Sequence, residues 1–155
     1  MPGSSGPRPP PDAPPEPRLV LLVDTNIWLA DGDRRSAHHH ACAQLLADHL
    51  GELAAPVPVI AETAWLLLDR GGPAAQSAFL ALVTTGRLDA VDLTAADWDR
   101  VLELVETYAD LALDVIYASL IAVAERLGQR TIATLNHRDF AVVRPAHCDA
   151  FALVP

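Results

Sequence analysis

LVLLVDTN, residues Leu19 to Asn26, decides how the rest of the chain is read. Its apolar residues run without a break and stop at Asp24. A run of that kind ending in a polar turn is the pattern of a central strand buried on both faces, as strands of parallel sheets are. Such sheets carry their functional crevice beyond the carboxyl ends of the strands. Asp24 stands at such an end, with Thr25 and Asn26 beside it to orient its carboxylate by hydrogen bonding. The same aspartate also suits the N-cap of a short helix beginning at Ile27. The tripeptide alone leaves both roles open.

Working outward, helices and strands alternate. Ser36 to Leu50 reads as a helix with Cys42, Leu45, Leu46 and Leu50 on one side, ended by Gly51. A strand at Leu53–Val57 leads into a helix over Val59–Asp69, which Gly71 and Gly72 terminate. Pro73 to Thr85 forms a third helix with Phe79, Leu82 and Val83 on its apolar face. Leu88–Leu93 is a strand, and Thr94 caps a helix carrying Trp98, Val101, Leu102 and Val105. Asp114–Leu127 is a helix closed by Gly128, Thr131–Leu135 a strand, and Phe151–Val154 a last edge strand. The alternation predicts an α/β fold with a central, mostly parallel sheet of four to five strands flanked by helices. Residues 1–17 (MPGSSGPRPPPDAPPEP) are proline-rich and lack larger aliphatic side chains, so they read as a disordered tail ahead of one domain over 18–155.

Composition narrows the function. The chain has 155 residues, 51% of them hydrophobic, which is enough to build one substantial core. No apolar run reaches the roughly 18–20 residues of a membrane span, and no signal-peptide pattern opens the chain, so a soluble cytoplasmic protein is expected. Cys42 and Cys148 lie far apart and read as ordinary reduced thiols. A net charge of -9 argues against a protein that coats nucleic acid. It does not exclude a nuclease, because an acidic metal site adds negative charge that bound cations reverse locally.

Four places could carry chemistry. Asp24 is the first. Glu62 is the second: positions 59, 62, 65, 66 and 69 share a helix face, so Glu62 interrupts a stripe of Val59, Trp65 and Leu66. A carboxylate buried there needs a partner, and a metal ion would supply one. A first-turn glutamate favoured by the helix dipole is the other reading. The third is Asp114, one turn before Tyr117 on a strongly apolar helix, where it serves equally as an N-cap. The fourth is TIATLNHRDF, in which a strand delivers Asn136, His137, Arg138 and Asp139 to the same sheet edge, a polar turn capped by Asp139 being the alternative. His38, His39 and His40 cannot converge on one ion, since consecutive helical residues point about 100° apart. They read as a polar patch beside Arg34 and Arg35. Arg138 and Arg144 are the better candidates for phosphate contact.

The order strand–DTN, helix with a lone glutamate, Asp-led apolar helix, strand–TLN–RDF resembles the PIN domain over nearly all of residues 19–155. AERLG and TIATLNHRDFAVVRP look most similar to the VapC toxins of that family. The resemblance implies a PIN-like fold and acidic residues that hold Mg²⁺ or Mn²⁺ to hydrolyse RNA phosphodiester bonds. It assigns Asp24 to the first family acid and Glu62 to the second. Tyr117 stands where the third carboxylate is expected, with Asp114 one turn earlier. Asn136 stands at the fourth, with an amide oxygen but no charge, and Asp139 is the nearest substitute. With that charge, one ion is expected rather than two.

Two functions follow. One is a metal-dependent endoribonuclease toxin of a toxin–antitoxin pair, forming a homodimer and partnered by a VapB-like antitoxin. The other is a catalytically impaired PIN domain that binds RNA or an antitoxin as a regulatory module, favoured by Tyr117 and Asn136. A haloacid-dehalogenase-like phosphatase is excluded, because its second aspartate two positions on is Asn26 here.

Overall fold

The computed structural model describes residues 19–155, so the proline-rich stretch 1–17 lies outside the described residues. Five parallel strands, β1 (Leu21–Val23), β2 (Leu53–Pro56), β3 (Leu88–Val91), β4 (Thr131–Ala133) and β5 (Ala152–Val154), form one sheet in the order β3-β2-β1-β4-β5. The helices are α1 (Thr25–Gly32), α2 (His39–Asp48), α3 (Val57–Thr84), α4 (Ala95–Thr107), α5 (Val115–Leu127) and α6 (His137–Val142). This is the α/β architecture that the alternation predicts.

The strand order carries the functional consequence. The chain builds outward from β1 to β2 and β3, then crosses back to lay β4 on the other side of β1. The order therefore reverses between β1 and β4, and the crevice beyond their carboxyl ends is the topological switch point of the sheet. Leu22 is paired with Ile132 and Val23 with Ala133 across that junction. Asp24 donates its backbone N–H to Ala133 at 2.9 Å, and Thr134 donates its own to Val154 at 2.8 Å, so the ladders continue up to the crevice.

Leu22, Val23 and Ile132 are fully buried, as an unbroken apolar strand run requires. α5 is the most enclosed helix: every residue from Ala118 to Ala124 is buried. Gly128 ends it in the left-handed conformation, φ 66°, which a side chain would strain. A clasp holds α4 to α5: Arg100 binds Glu125 through two hydrogen bonds of 2.8 and 2.9 Å, and Arg126 binds Asp97 at 2.9 Å.

Three sequence expectations are refined. The two helices expected on either side of Gly71-Gly72 form one element, α3, broken at Gly72, whose φ of 79° and ψ of -177° no helix contains. The break is sharp, because Gln76 donates to the carbonyl of Ala64 at 3.2 Å, a separation an unbroken helix of that length would forbid. The buried face of the first half of α3 is Val59, Ile60, Thr63 and Ala64, so Trp65 is 62% exposed and Glu62 lies at the edge of that face rather than within it. On α4, Val101 and Leu104 face the core while Trp98 and Leu102 face outward.

Candidate metal centre

The end of β1 delivers Asp24 into the crevice almost fully enclosed, at 2% exposure. The open N-cap question resolves to both roles in one residue. Asp24 caps α1, its Oδ1 accepting the N–H of Thr25 at 2.7 Å, and its other oxygen faces the crevice. Oδ2 accepts from Asn26 Nδ2 at 3.0 Å and from the Thr134 hydroxyl at 2.8 Å. Thr134 follows β4, so the switch point itself provides the donor. Asn26 is held in turn by the N–H of Leu135, which its Oδ1 accepts at 2.9 Å.

Glu62 reaches the same place from α3, because α1 packs against the first half of that helix. The Thr25 hydroxyl donates to Glu62 Oε2 at 2.7 Å, so one threonine joins the two carboxylates, by its backbone to Asp24 and by its side chain to Glu62. The buried Thr63 hydroxyl lies 3.1 Å from that of Thr25 and donates to the Val59 carbonyl at 2.7 Å.

Burial pushes the Asp24 carboxyl up from the usual 3.8 to about 6. The hydrogen bonds from Thr134 and Thr25 oppose that shift, and the charges of Glu62 and Asp114 add to it. Asp114 is thus near enough to act on Asp24 electrostatically. It caps α5 by accepting the N–H of Tyr117 at 3.0 Å and remains exposed.

Tyr117 is half-buried and packs edge-on against Phe140, with ring centroids 5.4 Å apart. Burial raises its phenol above the ordinary value, with the Asp24 charge the next contributor. Asn136 caps α6 and donates its amide N–H groups to the Tyr117 oxygen at 2.9 Å and to Asp139 Oδ2 at 2.8 Å. The residues in the two positions where the resemblance expects acids are therefore bonded to each other. Asn136 Oδ1 faces the N–H of Asp139 at 3.3 Å. Arg138 is exposed on α6, whereas Arg144 folds back to donate to the carbonyl of Ala141 at 2.9 Å. His39 Nδ1 lies 3.1 Å from the Ala30 carbonyl and its ring lies 5.3 Å from that of His40.

The donor set fits a hard divalent cation. Among the described residues no arginine or histidine pairs with Asp24, Glu62 or Asp114, and each has an oxygen with a free lone pair after its hydrogen bonds are counted. Among the same residues no three His, Cys, Asp or Glu side chains close a cage. An open site of one or two carboxylates completed by water is the form Mg²⁺ prefers. Thr134 and Thr63 were not legible as site residues, although the position of Thr134 at the carboxyl end of a strand was a usable signal.

A groove of about 670 Å³ adjoins this crevice at Asn26 and Leu135, and Arg35, Ser36, Leu67 and Arg70 line it farther out.

Known proteins resemble this chain in sequence and in fold. The family model described as PIN domain matches residues 21–144. Ribonuclease VapC26 of Mycobacterium tuberculosis is 27% identical over 135 residues, 87% of this chain and 100% of that protein. The crystal structure of VapC20 of Mycobacterium tuberculosis, a sarcin-ricin loop cleaving toxin, superposes with a TM-score of 0.66 at 23% identity, covering 72% of this chain and 86% of that one. A toxin–antitoxin complex from Klebsiella pneumoniae gives a TM-score of 0.60 at 23% identity over 87% and 96% of the two chains. VapBC2 from Rickettsia felis, bound to a DNA fragment from its promoter, gives 0.58 at 18% identity over 86% and 96%. At these identities the solved structures speak for the fold.

Proposed function

We propose that this chain, which belongs to the PIN domain family, is a divalent-metal-dependent endoribonuclease of the VapC type, the toxin of a toxin–antitoxin pair. The observation that carries this reading is the carboxylate pair of buried Asp24 and half-buried Glu62, joined through Thr25 at the switch point of the sheet and paired, among the described residues, with no arginine or histidine. Asp24, Glu62 and Asp114 would hold Mg²⁺ or Mn²⁺, with Asn136 and Asp139 at the margin of the site. A bound ion would supply a Lewis acid and a water activated for attack on a phosphodiester.

The chain's own residues then have definite tasks. Thr134, Asn26 and the Thr25 N–H fix the Asp24 carboxylate in one orientation and favour its charged form. Thr25 fixes Glu62 in the same way. The groove with Arg35 and Arg70 on its rim provides cationic contacts for the strand flanking the scissile phosphate. Residues 18–155 act as one unit, because β5, beyond the matched residues, completes the sheet beside β4. Among the described residues no helix is long and apolar enough to cross a membrane, in keeping with action in the cytoplasm. The relatives solved as toxin–antitoxin complexes support a VapB-like partner, and a homodimer is the proposed assembly.

The test is cleavage of single-stranded RNA by the purified protein with Mg²⁺ or Mn²⁺, with EDTA, and after Asp24→Asn. Cleavage that needs the metal and Asp24 supports the reading, and cleavage that survives EDTA overturns it. The Asn136–Tyr117 bond favours one alternative, a PIN domain that binds RNA or antitoxin without cutting, since it ties up both substituted positions in a neutral pair. Tight RNA binding with no cleavage under any metal would select it.

A further inference from the structure

The orientation of the Asn136 amide is fixed by Asp139. Turned over, the amide would set its NH₂ against the Asp139 N–H and its oxygen against the Asp139 carboxylate, two repulsions in place of two bonds. With the amide so held, its N–H can only donate to Tyr117, at 2.9 Å. Tyr117 is therefore an acceptor towards Asn136, and its own hydroxyl proton points elsewhere. Among the described residues no side chain or carbonyl accepts that proton. The hydroxyl lies within electrostatic reach of Asp24 and Asp114, at the crevice.

Resting on the ribonuclease reading above, we propose that Tyr117 is a substrate-binding residue whose hydroxyl donates a hydrogen bond to a non-bridging oxygen of the RNA phosphate, with Asn136 and Asp139 as the residues that aim it. A carboxylate at this position could only accept and would repel the phosphate. Tyrosine gives up one charge for the cation and gains one donor for the anion. The substitution then alters what the crevice recognises and is not a simple loss.

The experiment is Tyr117→Phe, which removes one hydroxyl and keeps the ring against Phe140. Binding of a fluorescein-labelled single-stranded RNA is followed by anisotropy with Ca²⁺ present, and Mn²⁺ affinity without RNA is measured by electron paramagnetic resonance. A hydrogen bond to a charged group implies a loss of roughly tenfold or more in RNA affinity. Mn²⁺ affinity should stay at the parent value, and the thermal midpoint should fall by no more than about 3 °C, the cost of the lost Asn136–Tyr117 bond. Equal RNA affinity in both proteins overturns the proposal. An equal loss of RNA and Mn²⁺ affinity also overturns it, because Tyr117 would then be shaping the site rather than touching substrate. A parent protein that binds no RNA overturns the ribonuclease reading together with this one.

Discussion

Replacing Asp24 with Asn should make the metal-free protein more stable at neutral pH, although the residue is central to the proposed site. In the unfolded chain this carboxyl titrates near its usual 3.8, and in the folded one at about 6. Between those values the folded state holds more protons than the unfolded one, so stability falls as pH rises. The penalty is absent below about pH 4, complete above about pH 6, and about 3 kcal/mol for a shift of this size. The amide introduced by Asp24→Asn would carry no charge to desolvate. It would lose one of the acceptor interactions now made with Thr134 and Asn26, worth about 1 kcal/mol. The net gain is about 2 kcal/mol, or roughly 6 °C in thermal midpoint for a domain of this size. Urea unfolding of parent and variant in EDTA, at about pH 7.5 and about pH 4, isolates the effect to Asp24 and the groups coupled to it, because the contributions of groups that do not interact with Asp24 cancel between the two proteins. The variant should be the more stable at the higher pH and the less stable at the lower. A variant destabilised at neutral pH would mean that the hydrogen bonds outweigh burial and that Asp24 is an ordinary ionised carboxylate.

The same substitution should weaken Mn²⁺ binding ~10-fold or more, measured by calorimetry, so stability and affinity should move in opposite directions. Tyr117→Asp should tighten Mn²⁺ binding by adding a charged oxygen beside Asp24, and unchanged affinity would place that side chain outside the ion's reach. Glu125→Ala removes two bonds to Arg100 and one to the Ala146 N–H, and should cost about 2–4 kcal/mol in urea unfolding. Leu104→Ala, at a fully buried position between α4 and α5, should cost about 2–5 kcal/mol by the same measurement.

Much of the fold was legible because local chemistry and tertiary structure agree. The apolar run before Asp24 is buried over Leu21–Val23, although Leu19 at its start is 76% exposed; Thr94 forms a capping box with Asp97, and Gly128 supplies the positive φ that ends α5. Asp24 was legible for the same reason, as a charge at the end of a buried strand. Periodicity fails where it must choose which face of a helix meets the sheet. Trp65 and Trp98 satisfy an apolar stripe, yet they stand on the outer flank at 62% and 50% exposure, because the neighbouring register offers Thr63 with Ala64 and Val101 with Leu104. Glu62 consequently needs no buried stripe to reach Asp24; the packing of α1 against α3 brings it there. Thr134 escaped notice because a hydroxyl gives no signal until the strand order sets β4 beside β1. The Asn136–Tyr117 bond joins residues 19 apart in sequence and depends on α6, a helix too short to announce itself.

The reversal of strand order between β1 and β4 also sets a schedule for synthesis. β1 emerges from the ribosome early, but its neighbour on one side is not made until residues 131–133, and Thr134 and Asn136 follow directly. A nascent chain that has completed β1, β2 and β3 has Asp24 and Glu62 but nothing to close the far wall of the crevice. Assembly of the site waits until the chain is almost finished, so a truncated product that ends before β4 should be harmless to the cell that made it.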